Sequence, residues 1–225
     1  MPAKRHWRLP NIPVSPWPFV TSGVDLPQDS RLMALVVFLR GVNVGGHRRF
    51  RPSTLAAELK HLGAVNIGAA GTLVIRARIT RAKLRAELAC RLPFETTIAV
   101  CDGRDVSRLI DSEPYRGERA RPDVVRFISV LTEPPRRRPP VPSTFPPHGK
   151  WLVKILARDG CFIVGQYRRD MKTIGHLGGI DRLFGVPVTT RNWSTMASIG
   201  RVLAATTTAG KKSTVDPAPS RSTCL

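Results

Sequence analysis

The sequence predicts an α+β protein of two units flanked by disordered tails, and three observations carry that expectation. Residues 35–39 form an apolar run of five that ends abruptly at Arg40. Leucines then recur at helical spacing in two separate stretches. From Val124 onward a second series of short apolar runs follows a polar stretch.

The run at 35–39 reads as a strand buried on both faces, because it lacks the alternation of a half-exposed one. A loop with Gly41, Asn43, Gly45 and Gly46 follows, and Pro52 opens a helix where its missing N–H costs nothing. Leu55, Leu59 and Leu62 share one face of that helix, and Gly63 stops it. Residues 65–69 and 72–76 read as short strands joined at Ala70-Gly71. Thr80 caps a helix with a Leu84, Leu88, Leu92 stripe, and 95–101 closes the unit as a strand. The order βαββαβ is the ferredoxin-like split unit, an antiparallel sheet with two helices on one face. A short helix over 105–110 completes a first domain of residues 33–112, and 113–123 links it to the next.

Residues 124–204 read as a second, degenerate ferredoxin-like α/β sandwich unit. Strands are expected over 124–131, 151–157, 161–165 and 186–189, with a hairpin through Arg158-Asp159-Gly160. Helices are expected over 174–184 and 192–203, the latter with Trp193, Met196, Ala197, Gly200 and Leu203 on one face. Between the first two strands lies a Pro/Arg-rich insert (132–150). Seven prolines surround Arg136-Arg137-Arg138 there, which excludes an ordinary helix and suggests an extended, polyproline-like excursion. Residues 1–32 are Pro-rich and aperiodic, and read as a disordered extension or as sequence upstream of a true start at Met33. Residues 205–225 are expected to be a disordered tail.

Composition narrows the class. No apolar run approaches the roughly 20 residues of a membrane span. Lys4, Arg5 and Arg8 are followed by a segment broken by Pro13, Pro16 and Pro18, a poor signal peptide. A cytoplasmic protein is expected. Cys90, Cys101, Cys161 and Cys224 show no metal-binding spacing and read as reduced, structural thiols. No metal and no cofactor is indicated. The 36 basic against 16 acidic residues give a net charge of +20. Such a chain should attract polyanions, although the excess is nearly all Arg, which a GC-rich coding bias also produces.

Two motifs together resemble a known family. Leu39-Arg40-Gly41-Val42-Asn43-Val44-Gly45-Gly46 resembles the opening motif of the domain of unknown function 1697 family, and the stretch from Leu183 to Thr195, ending Thr189-Thr190-Arg191-Asn192-Trp193-Ser194-Thr195, resembles its closing motif. The resemblance runs from about Met33 to about Leu203 and implies two ferredoxin-like domains with no established activity. Where that family has Ser-Gly-Asn before its third strand, this chain has Ala70-Gly71-Thr72.

Neither phosphate-loop template fits the first motif, since Gly41–Gly46 lacks the Lys-Ser/Thr ending and the G-x-G-x-x-G spacing. It reads either as a backbone anion nest beside Arg48, Arg49 and Arg51 or, more commonly, as a tight turn in which Asn43 bonds its own backbone. In the second motif, Thr190 or Asn192 reads as the cap of a helix and Trp193 as core, while Arg191 has no capping role of its own. No paired carboxylates, Ser-His-Asp set or nucleophile elbow stands out. The expected function is therefore the binding of a small anionic ligand in an interdomain cleft bordered by Arg40, Asn43, Gly45, Gly46, Arg191, Asn192 and Trp193, without identifiable catalysis. The alternatives are non-specific nucleic-acid binding through an Arg-rich surface, or an enzyme acting on a phosphorylated or carboxylated metabolite.

Overall fold

The computed structural model describes residues 34–43 and 50–211, with side chains to residue 205. The expected tail segments 1–32 and 212–225 therefore lie outside the described residues, as do Gly45, Gly46, Arg48 and Arg49. β1 (Leu35–Leu39) is buried at all five positions and is an inner strand of a four-stranded antiparallel sheet. Helix α1 (Pro52–Glu58), a 3₁₀ turn (Lys60–Leu62), β2 (Val65–Asn66), β3 (Thr72–Ile75), α2 (Arg81–Arg91) and β4 (Ile98–Asp102) follow. The strands lie in the order β2-β3-β1-β4, with β1 antiparallel to both neighbours. Gly63 takes the left-handed conformation after the 3₁₀ turn, and the Thr80 hydroxyl accepts from Lys83 N at 3.2 Å, so both helix boundaries fall where the sequence puts them. α3 (Gly103–Asp111) then leaves the sheet.

Strand alternation divides β1 between two cores. Leu35, Val37 and Leu39 pack with Leu55 and Leu59 of α1 and Leu84 and Leu88 of α2. Val36 and Phe38 turn the other way, toward a second sheet. That sheet is built from β5 (Val124–Leu131), β6 (Ser143–Phe145), β7 (Val153–Asp159), β8 (Phe162–Arg168) and β9 (Val188–Asn192). Its order is β6-β7-β8-β5-β9. Without β6 this repeats the first sheet strand for strand: the first strand of each set lies between its third and fourth. Between β8 and β9 come α4 (Thr173–Gly178) and α5 (Ile180–Phe184), and α6 (Trp193–Lys211) follows β9 as α3 follows β4. The middle layer joins Val36, Phe38 and Val74 of the first sheet to Ile128, Val130, Phe162 and Val164 of the second. Val106 and Leu109 of α3 and Met196, Ile199 and Leu203 of α6 fill the same layer.

Several expectations are corrected. The Pro/Arg-rich insert is not wholly an excursion, because β6 pairs Ser143–Phe145 with Val153–Ile155 of β7 and so supplies an edge strand, where proline is tolerated. The single helix expected over 174–184 is two, parted at Gly179. Residues 190–192 finish β9, and the helix begins only at Trp193. That helix runs through Thr206 to Lys211, so the order extends further than the tail expectation allowed, and Ala197 is exposed while Ile199 takes its place in the core. Among the described residues no helix is long and apolar enough to cross a membrane.

Candidate anion-binding site

β9 carries Arg191 into the layer between the sheets, where the residue is only 6% exposed. Its Nε donates to Thr72 Oγ1 at 2.7 Å. Nη1 donates to Thr189 Oγ1 at 2.8 Å and to the Thr190 carbonyl at 2.9 Å. Nη2 donates to the carbonyls of Leu39 at 2.8 Å, Ala70 at 2.6 Å and, more weakly, Gly71 at 3.3 Å. A guanidinium has five N–H groups, and these contacts use all of them. The acceptors are carbonyls and hydroxyls; none is a carboxylate. Burial lowers its pKa to about 10, which leaves the group charged at neutral pH. The Phe38 ring, 5.8 Å away, adds a cation–π contact.

Ala70-Gly71-Thr72 is therefore the receptor for Arg191. Gly71 has φ +70°, and a Cβ there would stand 2.9 Å from Leu39 Cβ, so the chain can pass this close to β1 only as glycine. Asn43 holds the same turn from the opposite side. Its Nδ2 donates to Ala69 O at 2.7 Å and Phe50 O at 2.8 Å, and its Oδ1 accepts from Phe50 N at 2.9 Å. Arg40 forms an ion pair with Asp181 of α5, and Asp181 Oδ1 also accepts from Val188 N at 3.2 Å. Arg40, Asn43 and Arg191 thus cluster around the β1 end and the 69–72 turn, but as a joint between the two sheets whose polar groups already have partners inside the chain.

Asn192 and Trp193 belong to a different place. Alternation along β9 turns Asn192 away from Arg191. Together with Trp193 at the start of α6, it borders an open cleft of about 300 Å³. Arg119 and Arg121 ahead of β5, Arg126 on β5 and Arg169 just after β8 line the rest. Arg121 Nε donates to Asp123 Oδ1 at 3.0 Å, and this bond holds the Asp123 carboxyl below the usual carboxylate range. Arg126 donates to the Glu118 carbonyl at 2.6 Å and lies over the Tyr115 ring at 5.2 Å. Tyr115 meets the Trp193 indole edge-on at 5.1 Å and donates its hydroxyl to the Phe127 carbonyl, so core packing fixes the cleft's inner wall. Among the described residues the guanidiniums of Arg119 and Arg169 have no hydrogen-bond or ion-pair partner. Gln166, opposite Arg126 in the ladder, is 3% exposed and its Nε2 has no partner among the described residues.

Among the described residues that line the cleft, none is a carboxylate, imidazole or thiol. A second hollow of about 460 Å³ near Arg137 and Arg182 includes Asp181, whose negative charge opposes an anion there. No group of three or more His, Cys, Asp or Glu residues able to hold a metal occurs among the described residues. Sequence reasoning missed Arg119, Arg121, Arg126 and Arg169. The first three are close in sequence within and beside the presumed linker, which was a usable signal; Arg169 joins them only through the β5–β8 pairing.

The architecture defines a mixed α/β protein with two antiparallel sheets sharing one core. Residues 33–140 match the model of the family described as Protein of unknown function (DUF1697). That match ends before the closing motif that contains Arg191. The fold is similar to that of a conserved bacterial protein, SP0830, from Streptococcus pneumoniae, with a TM-score of 0.51 and 17% identity over 77% of this chain and 99% of that one. No curated protein matches the chain.

Proposed function

We propose that this protein binds a small anionic ligand in the cleft between the β5 approach, the end of β8 and the start of α6. The observation that carries the reading is that four arginines line one cleft of about 300 Å³, with the guanidiniums of Arg119 and Arg169 unengaged among the described residues. Guanidinium forks match phosphate and carboxylate oxygens bidentately. The first N–H groups of α6 add a weaker attraction of the same sign. Asn192 and Trp193 remain in the site, while Arg40, Asn43 and Arg191 act as structural residues that set the sheets which frame it. The volume is at the lower end of ligand cavities, which suits one small molecule better than a polymer. In the same reading, residues 33–112 and 124–204 are two ferredoxin-like units of a cytoplasmic protein, supported by the matching strand orders.

Calorimetric titration with inorganic phosphate, pyrophosphate and a panel of phosphorylated metabolites at physiological salt tests this. Wild-type protein should bind at least one of them, and the double variant Arg119→Ala/Arg169→Ala should bind it at least about tenfold more weakly, the equivalent of about 1.4 kcal/mol. Unchanged binding in that variant would contradict the site. Long nucleic acids should bind weakly and without sequence preference, losing affinity steeply as salt rises. Tight, sequence-selective RNA binding that survives physiological salt would replace this reading with nucleic-acid recognition.

A further inference from the structure

Away from the cleft, two thiols meet in the layer between the sheets. Cys101 Sγ and Cys161 Sγ are 3.8 Å apart, although 60 residues separate them in sequence. Cys101 lies on β4, 5% exposed, among the side chains of the middle layer. Cys161 occupies the turn between β7 and β8, partly buried, and packs against the middle layer and the outer core of the second sheet. Each sheet thus contributes one sulfur to a single contact.

We propose that Cys101 and Cys161 are a redox pair, in which a hydroperoxide oxidant closes a reversible disulfide that fastens one sheet to the other. The sulfurs need to approach by less than about 2 Å to reach the S–S bond length of about 2.05 Å. Cys161, the more exposed of the two, meets the oxidant first. Its sulfur attacks the peroxide, the O–O bond breaks, and a sulfenic acid forms while the peroxide leaves as an alcohol or water. Cys101 sulfur then attacks Cys161 sulfur; the S–S bond forms, the S–O bond breaks, and the hydroxide departs with the Cys101 proton as water. Two thiols are oxidised by two electrons in all, and one peroxide is reduced. The order of events follows from the surroundings, because the hydrogen bond with Cys161 and burial both push the Cys101 thiol up, away from the reactive thiolate. In a reducing compartment such a pair rests as thiols and links only under oxidative load.

The experiment uses the full chain with Cys90→Ser and Cys224→Ser, so that only the two thiols remain. Stoichiometric hydrogen peroxide should remove two hydrogens from the intact mass, yield a Cys101–Cys161 linked peptide, and be reversed by dithiothreitol. Because the link closes a 60-residue loop, the oxidised form should melt on the order of 5–15 °C higher. Adding Cys161→Ser should abolish the linkage, and Cys101→Ala should instead leave Cys161 to gain oxygen. Gain of oxygen at Cys161 without linkage in the two-thiol protein, disulfide-linked dimers, or two thiols still free to alkylate would each overturn the proposal.

Discussion

Arg191→Ala should lower the unfolding free energy by about 4 kcal/mol, the range for breaking a buried charged network. The substitution leaves the Leu39, Ala70 and Gly71 carbonyls and the Thr72 and Thr189 hydroxyls without the donor that joined them, and all but the Ala70 contact are buried. It also opens a cavity between the sheets. Against a typical total stability of about 5–15 kcal/mol, that loss is severe. Arg191→Lys should recover only part of it, because three donors on a flexible stem cannot reproduce five in a plane. The folded pKa of about 10 lies below the ordinary arginine value, so the unfolded chain holds more protons between the two and stability rises with pH only in that alkaline window. At pH 6 and pH 8 the Arg191→Ala deficit should therefore be the same. Urea unfolding at both pH values measures it.

Gly165→Ala should be nearly as damaging, costing about 3 kcal/mol or more by overpacking. Gly165 is opposite Phe127 in the β5–β8 ladder, and a Cβ there would lie 2.3 Å from Phe127 Cζ and 2.8 Å from the Lys154 carbonyl. Neither neighbour can yield easily. The ring is wholly buried beside Tyr167, and Lys154 O is backbone of the adjacent strand. Tyr115, whose hydroxyl bridges the Phe127 and Gly165 carbonyls, would be displaced with them, and it supports the Trp193 wall of the cleft. A shifted urea midpoint with an unchanged slope would show the loss as stability alone.

Both effects arise from contacts between elements remote in sequence, which is where the sequence stops being legible. The first unit is readable because its signals are local: a wholly apolar run, leucines three and four apart, a threonine cap, a glycine stop. The second unit is readable in its strands but blurred at the insert, where prolines that forbid a helix still permit an edge strand. Arg191 is conspicuous from sequence, and its abrupt appearance between Thr190 and Asn192 does mark something. What sequence cannot give is the direction of its side chain. Placed at a helix start it would face solvent; one residue earlier, in a strand, it faces the core while Asn192 faces out. That change of register separates the structural half of the motif from the half that borders the cleft.

If the arginine cleft is the anion site and Arg191 an internal joint, a bound anion should be felt at the cleft and not at Arg191. Nuclear magnetic resonance titration with a phosphomonoester at physiological salt, observing arginine Nε–H and tryptophan indole signals, tests it most directly. Shifts are expected at Arg119, Arg169 and Trp193, with Arg191 unmoved and slow to exchange with water. Shifts centred on Arg191 and Arg40, with Arg119 and Arg169 unaffected, would contradict it.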